Sequence, residues 1–253
     1  MQTVTSADGT EIGYETQGEG RPVVLVHGTS TTRESWTPVV PHLAEEFRVV
    51  VPDRRGRGES GDADAYDLDR EVADVRAVLD DVDGEPALVG QSFGGLCALE
   101  AARRADVSDL ALYEPAVVVG DHRRETGDAD RMESLLAAGE RREAVELAMG
   151  VMTGDEGAPG AAAVEAALPV AETIPRELRA VATYELPADL DVDARTLLLT
   201  GDRGPTHLKD AIEVVDERLP DSRLVEFEGL GHVFQADDPG RVAEEIRAFL
   251  AAE

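Results

Sequence analysis

The segment Gly90-Gln91-Ser92-Phe93-Gly94-Gly95 sets a serine among small residues, directly after an apolar run (Ala87 to Gly90) and at the head of a helical one (Phe93 to Arg104). A strand that turns sharply into a helix holds the residue at the turn in strained backbone geometry and presents its side chain, an arrangement suited to a serine nucleophile. Small residues at 90 and 94 let the chain pass close to itself there. A phosphate cradle would want a lysine following the glycines, and a dinucleotide fingerprint would want G-x-G-x-x-G; neither spacing occurs. On this segment alone, a glycine-rich turn with an incidental serine remains the competing interpretation.

The elements that would position such a serine alternate between strand and helix. Thr3 to Ser6 and Ile12 to Thr16 read as two short strands around Asp8-Gly9. Pro22 to His27 (PVVLVH) is a nearly uniform apolar run, as expected of a strand covered on both faces, and Phe47 to Val51 reads as the next buried strand; Ala87 to Gly90, Leu110 to Tyr113, Thr196 to Thr200 and Arg223 to Phe227 read as further strands. Helices are predicted over Ser35 to Glu46, 67–82, Phe93 to Arg104, 207–218 and Pro239 to Ala251. Between 117 and 194 the rhythm breaks. That stretch is rich in Ala, Glu and Arg, is interrupted by Gly154, Gly157, Pro159, Pro169, Pro175 and Pro187, and reads as several short helices. The pattern predicts an α/β fold, a mostly parallel eight-stranded sheet with helices on both faces, built from 1–116 and 195–253 with a helical insertion over 117–194.

Composition narrows the function. The 253 residues carry 53 acidic and 24 basic side chains, a net charge of −29. That sign argues against nucleic acid and anionic membrane surfaces as partners. Self-repulsion at this charge would be screened by concentrated salt, and Lys209 is the only lysine; a salt-adapted surface and an exchange of Lys for Arg through GC-rich coding both fit. One cysteine, Cys97, excludes an intramolecular disulfide and a cysteine-based zinc site. No basic start followed by an apolar run marks the first thirty residues, and no run approaches 18 apolar residues. A cytoplasmic protein, monomeric or homodimeric, is the expectation.

Taken together, His27-Gly28-Thr29 after the third strand, Trp36, Asp53-Arg54-Arg55-Gly56-Arg57-Gly58-Glu59-Ser60 after the fourth, the Ser92 segment, and Gly231-His232 before the last helix resemble the α/β-hydrolase superfamily in order along nearly the whole chain. The resemblance implies Ser92 as nucleophile, His232 as general base, and an oxyanion hole formed by the backbone N–H groups of Thr29 and Phe93. It implies no metal and no organic cofactor, and it makes residues 117–194 a cap that shapes the substrate pocket. His42, His122 and His207 lack glycine support and are expected at the surface.

The third triad member departs from the common pattern. Most relatives place an aspartate in the loop after the seventh strand, at the position of Gly204 here; Asp202 falls two places early. Glu114, in Ala111-Leu112-Tyr113-Glu114-Pro115 at the end of the sixth strand, is the preferred acid, with Asp202 as the alternative. Some members of the superfamily similarly carry their acid after strand six. The acid must accept from the imidazole N–H opposite the serine, which fixes the tautomer and stabilises the imidazolium.

The reaction implied is acyl transfer to water, on a carboxylic ester or lactone as small-molecule substrate. Thioesterase, amidase or peptidase, C–C bond hydrolase and perhydrolase activities use the same triad, and a non-hydrolytic receptor or cyclase uses the same fold. Met132, Met149 and Met152 either line a permissive apolar pocket or pack between helices. Trp36 either lines the site or packs beneath the oxyanion loop.

Overall fold

The computed structural model describes residues 1–122, 125–153 and 160–252; Gly154, Gly157 and Pro159 lie outside the described residues. Eight strands form one sheet: β1 (Gln2–Thr5), β2 (Glu11–Gln17), β3 (Pro22–Val26), β4 (Arg48–Pro52), β5 (Ala87–Gln91), β6 (Asp109–Tyr113), β7 (Arg195–Gly201) and β8 (Ser222–Phe227), in the order β1-β2-β4-β3-β5-β6-β7-β8. β1 and β2 pair antiparallel, as do β2 and β4; every other pairing is parallel. The continuous apolar runs have the expected result: every residue of β3, β5 and β6 is buried.

Ten α-helices accompany the sheet among the described residues: α1 (Val40–Leu43), α2 (Leu68–Asp81), α3 (Ser92–Ala102), α4 (Gly127–Ala137), α5 (Arg141–Thr153), α6 (Ala161–Ala167), α7 (Ile174–Thr183), α8 (Thr206–Arg218), α9 (Phe234–Asp237) and α10 (Pro239–Ala251). One face of the sheet packs against α2, α3 and α8, through Val75, Leu79, Leu96, Leu99 and Ile212. The other packs against α1, α9 and α10, through Leu43, Phe234, Ile246 and Leu250. Asp67 starts α2 by accepting the Arg70 N–H, and Asp238 starts α10 by accepting that of Arg241.

The single helix predicted over Ser35 to Glu46 is instead a 3₁₀ turn, Arg33–Trp36, followed by the one-turn α1. Pro38 and Pro41 are the physical reason, since each removes an N–H that a continuous helix would need; Pro41 survives by sitting in the first turn of α1. Between β6 and β7, helices α4 to α7 enclose an apolar core of their own, which includes Met132, Val145, Met149, Val164 and Ile174.

Register brings the chemistry to one end. Gln91 pairs with Tyr113 and Tyr113 with Leu199, so Ser92, Glu114 and Thr200 follow one another across the same carboxyl edge of the sheet. Open parallel sheets bind ligands outside that edge.

Candidate active site

Ser92 stands at the junction of β5 and α3 with φ of 53°, a conformation that a residue with a Cβ adopts only when its surroundings enforce it. Close packing enforces it here: a side chain at Gly94 would overlap the carbonyls of Val26 and His27, and one at Gly90 would overlap Gly94 and Gly95. The first N–H groups of α3 have no partner within the helix.

His232 lies in the loop between β8 and α9, held at several points. Tyr113 Oη donates to the Gly231 carbonyl (2.7 Å), the Gly231 N–H donates to Asp237 (2.8 Å), and Gln91 Nε2 donates to the His232 carbonyl (2.7 Å). Gln91 and Gln235 also exchange side-chain hydrogen bonds. Burial, with Glu114 alongside, pushes the Tyr113 phenol far above its ordinary range, so it remains a donor.

Glu114 is fully buried, with φ of 42°, and its Oε2 lies 2.6 Å from His232 Nδ1. Its other oxygen accepts from Thr200 Oγ1 (2.8 Å) and the Gly201 N–H (3.1 Å). A methyl group at Gly204 would overlap that same oxygen, so the missing side chain at 204 is the space Glu114 occupies. Asp202 is exposed and turned away; its carboxylate accepts the Gly229 N–H (2.7 Å) and ties the loop after β8 to the end of β7.

Ser92, His232 and Thr29 line one cavity, with no hydrogen bond between Ser92 and His232 in this structure. Such bonds often close only around substrate. Ala116, Val118, Val151, Met152, Leu178 and Val181 make much of the wall apolar, and Glu125, Asp128 and His207 also border it.

The structure separates the candidate pocket residues that the sequence left open, and moves one histidine. Trp36 is fully buried in the core shared with α1, α9 and α10, against Phe234 (ring centroids 6.0 Å), not in the cavity wall. Met132 and Met149 pack inside the core of α4 to α7, because they fall on the inward faces of their helices; only Met152, a turn beyond Met149, reaches the cavity. His207, expected at the surface, lines the cavity from the first turn of α8. Thr200, Gly201, Tyr113 and Gln91 went unrecognised as positioning residues. The signal for all four was available, since each ends a strand beside a candidate residue.

The family model described as the alpha/beta hydrolase family matches residues 23–245, and the chain belongs to that family. It is 31% identical to the lipase LipV of Mycobacterium tuberculosis, across 94% of this chain and 95% of that protein. Among solved structures, an alpha/beta hydrolase from Sphaerobacter thermophilus is 31% identical with a TM-score of 0.87, covering 99% of this chain and all of that one. The esterase RhEst1 from Rhodococcus sp. is 27% identical with a TM-score of 0.77, covering 99% and 98%. Four other curated relatives are matched over only 36% to 44% of their length. Among the described residues no helix is long and apolar enough to cross a membrane.

Proposed function

We propose that this protein is a serine hydrolase of carboxylic esters or lactones with an apolar acyl group, working through Ser92, His232 and Glu114. The observation that carries this is the 2.6 Å contact of a fully buried Glu114 with His232 Nδ1, on a histidine that shares an apolar cavity with a strained Ser92. The likeness to the lipase LipV and the esterase RhEst1 supports the ester class. Residues 117–194 act as the cap, with Val151, Met152, Leu178 and Val181 contributing to the substrate wall.

In this mechanism the Glu114 carboxylate accepts a hydrogen bond from Nδ1–H and stays ionised, leaving Nε2 to take the Ser92 proton as Oγ attacks the carbonyl carbon. The N–H groups of Phe93 and Thr29 hold the resulting oxyanion, each worth about 10²–10³ in rate. The imidazolium then protonates the leaving alcohol as the C–O bond breaks. Water, deprotonated by His232, attacks the acyl-enzyme; the acid departs and Ser92 regains its proton.

The test pairs intact mass after fluorophosphonate treatment with turnover of p-nitrophenyl esters, in dilute buffer and in molar KCl. A single adduct on Ser92, with turnover lowered at least about 10³-fold by Ser92→Ala, is the expected result. A folded protein that neither labels nor turns over esters would instead favour a ligand-binding or non-hydrolytic role.

A further inference from the structure

The Gly28–Thr29 peptide faces two ways. Among the described residues no peptide bond is cis, and in a trans peptide the carbonyl and the N–H point in opposite directions. Gly28 sits against the serine: a Cβ there would be 3.1 Å from Ser92 Cβ and 3.7 Å from its Oγ. Thr29 lines the cavity, and among the described residues its N–H has no hydrogen-bond acceptor. Whatever fixes the Gly28 carbonyl therefore aims the Thr29 N–H.

Three donors fix that carbonyl: His27 Nδ1 (3.0 Å), Thr31 Oγ1 (3.1 Å) and Arg54 Nη2 (3.3 Å). His27 Nε2 accepts the Arg54 backbone N–H (3.1 Å), which leaves the imidazole proton on Nδ1 for Gly28. Arg54 is itself immobilised. Its guanidinium lies 4.8 Å from the centre of the Phe93 ring and bonds Glu71 (3.2 Å) and Glu177 (2.7 Å). Arg57 joins the same Glu177 oxygen and donates to the Thr31 carbonyl (2.8 Å). All four charged side chains are at most 2% exposed. Burial works against an ionised Glu177, but the adjacent Arg54 and Arg57 outweigh it, helped by the Thr29 hydroxyl, and hold the carboxyl below its ordinary range. Glu177 belongs to α7, within the segment between β6 and β7, whereas every other member of the cluster belongs to the sheet side.

We propose that Arg54 and Glu177 are positioning residues for the oxyanion hole: Glu177, carried on α7, holds the Arg54 guanidinium on the Gly28 carbonyl and so turns the Thr29 N–H toward Ser92. The consequence is that the helical segment does more than wall the cavity. Its seating completes one half of the hole, and Arg54 touches the other half at Phe93. This inference rests on the serine-hydrolase reading.

The experiment compares wild type, Glu177→Gln and Thr31→Val. Thr31→Val removes one donor to Gly28 while sparing every ion pair, so it remains informative if Glu177→Gln does not fold. Each is assayed for kcat and KM on a neutral ester and for inhibition by a trifluoromethyl ketone, which adds Ser92 to form an oxyanion, alongside its methyl ketone counterpart, which does not. Glu177→Gln is expected to lower kcat about 10²-fold with KM within about threefold, and to weaken the trifluoromethyl ketone by a similar factor while sparing the methyl ketone. Thr31→Val is expected to do the same at about tenfold. Folded variants whose kcat and trifluoromethyl ketone affinity stay within about twofold of wild type overturn the proposal, as does a loss of kcat without the matching loss of that affinity. If ester turnover is absent or survives Ser92→Ala, the hydrolase reading itself fails. The crystal structure of Thr31→Val then decides the positioning: a rotated 28–29 peptide supports it, and an unmoved one refutes it.

Discussion

The ends of β6 and β7 lie side by side and face the same histidine, yet they are furnished in opposite ways. The β6 end carries a carboxylate on a long side chain in a strained backbone, and the β7 end carries a glycine where that carboxylate needs room. Neither feature works without the other. A side chain at 204 would displace the Glu114 oxygen, and a glycine at 204 without Glu114 would leave His232 Nδ1 with no acid. The β7 end still contributes, since Thr200 and Gly201 donate to Glu114. One strand supplies the charge, and its neighbour supplies the space and the hydrogen bonds that orient it.

The largest test of that division is Glu114→Gln, which keeps the shape and removes the charge that the proposed imidazolium requires. We expect kcat to fall by about 10³–10⁴, measured on an activated ester with folding checked by circular dichroism. Next is Gly204→Ala, whose methyl group should push the Glu114 carboxylate aside and lower kcat about 10²-fold. The double change Glu114→Ala with Gly204→Asp should recover at least about tenfold over Glu114→Ala alone. No recovery would mean that the loop after β7 cannot host the acid. Thr200→Val leaves the Gly201 N–H in place and should cost about fivefold in kcat, equivalent to about 1 kcal/mol. Asp202→Asn should stay within about twofold, because its oxygen still accepts from Gly229. A large loss there would undo the contrast between the two strand ends.

Much of this was legible from sequence because the signals are steric. Strands buried on both faces must be apolar throughout, so β3, β5 and β6 were visible as runs. The tight turn at Ser92 demands small neighbours, and Gly90 and Gly94 supply them. Glu114 was pointed to by the resemblance instead, because Gly204 stands where most relatives carry their acid. Signals that depend on which way a helix faces were not legible. Met132, Met149 and Met152 are chemically alike, and only helix packing separates the two in the core from the one at the cavity. His207 gave no glycine signature, because it reaches the cavity through the placement of α8. The buried cluster of Arg54, Arg57, Glu71 and Glu177 spans more than 120 residues of sequence and exists only once α7 is docked.

The neutral His27 ties folding to proton concentration. Burial first, and then the charges of Arg54 and Arg57, hold its folded pKa well below the ordinary 6.5. As pH falls below about 6.5 the unfolded chain takes up this proton and the native state does not, so stability is lost on acidification. The loss is about 1.4 kcal/mol per pH unit until the native imidazole itself begins to titrate. This protein therefore carries an acid sensitivity in the same side chain that orients the Gly28 carbonyl. Denaturant unfolding of wild type and His27→Gln between pH 7 and pH 5, the range set by the histidine value, isolates that slope as the difference between the two curves.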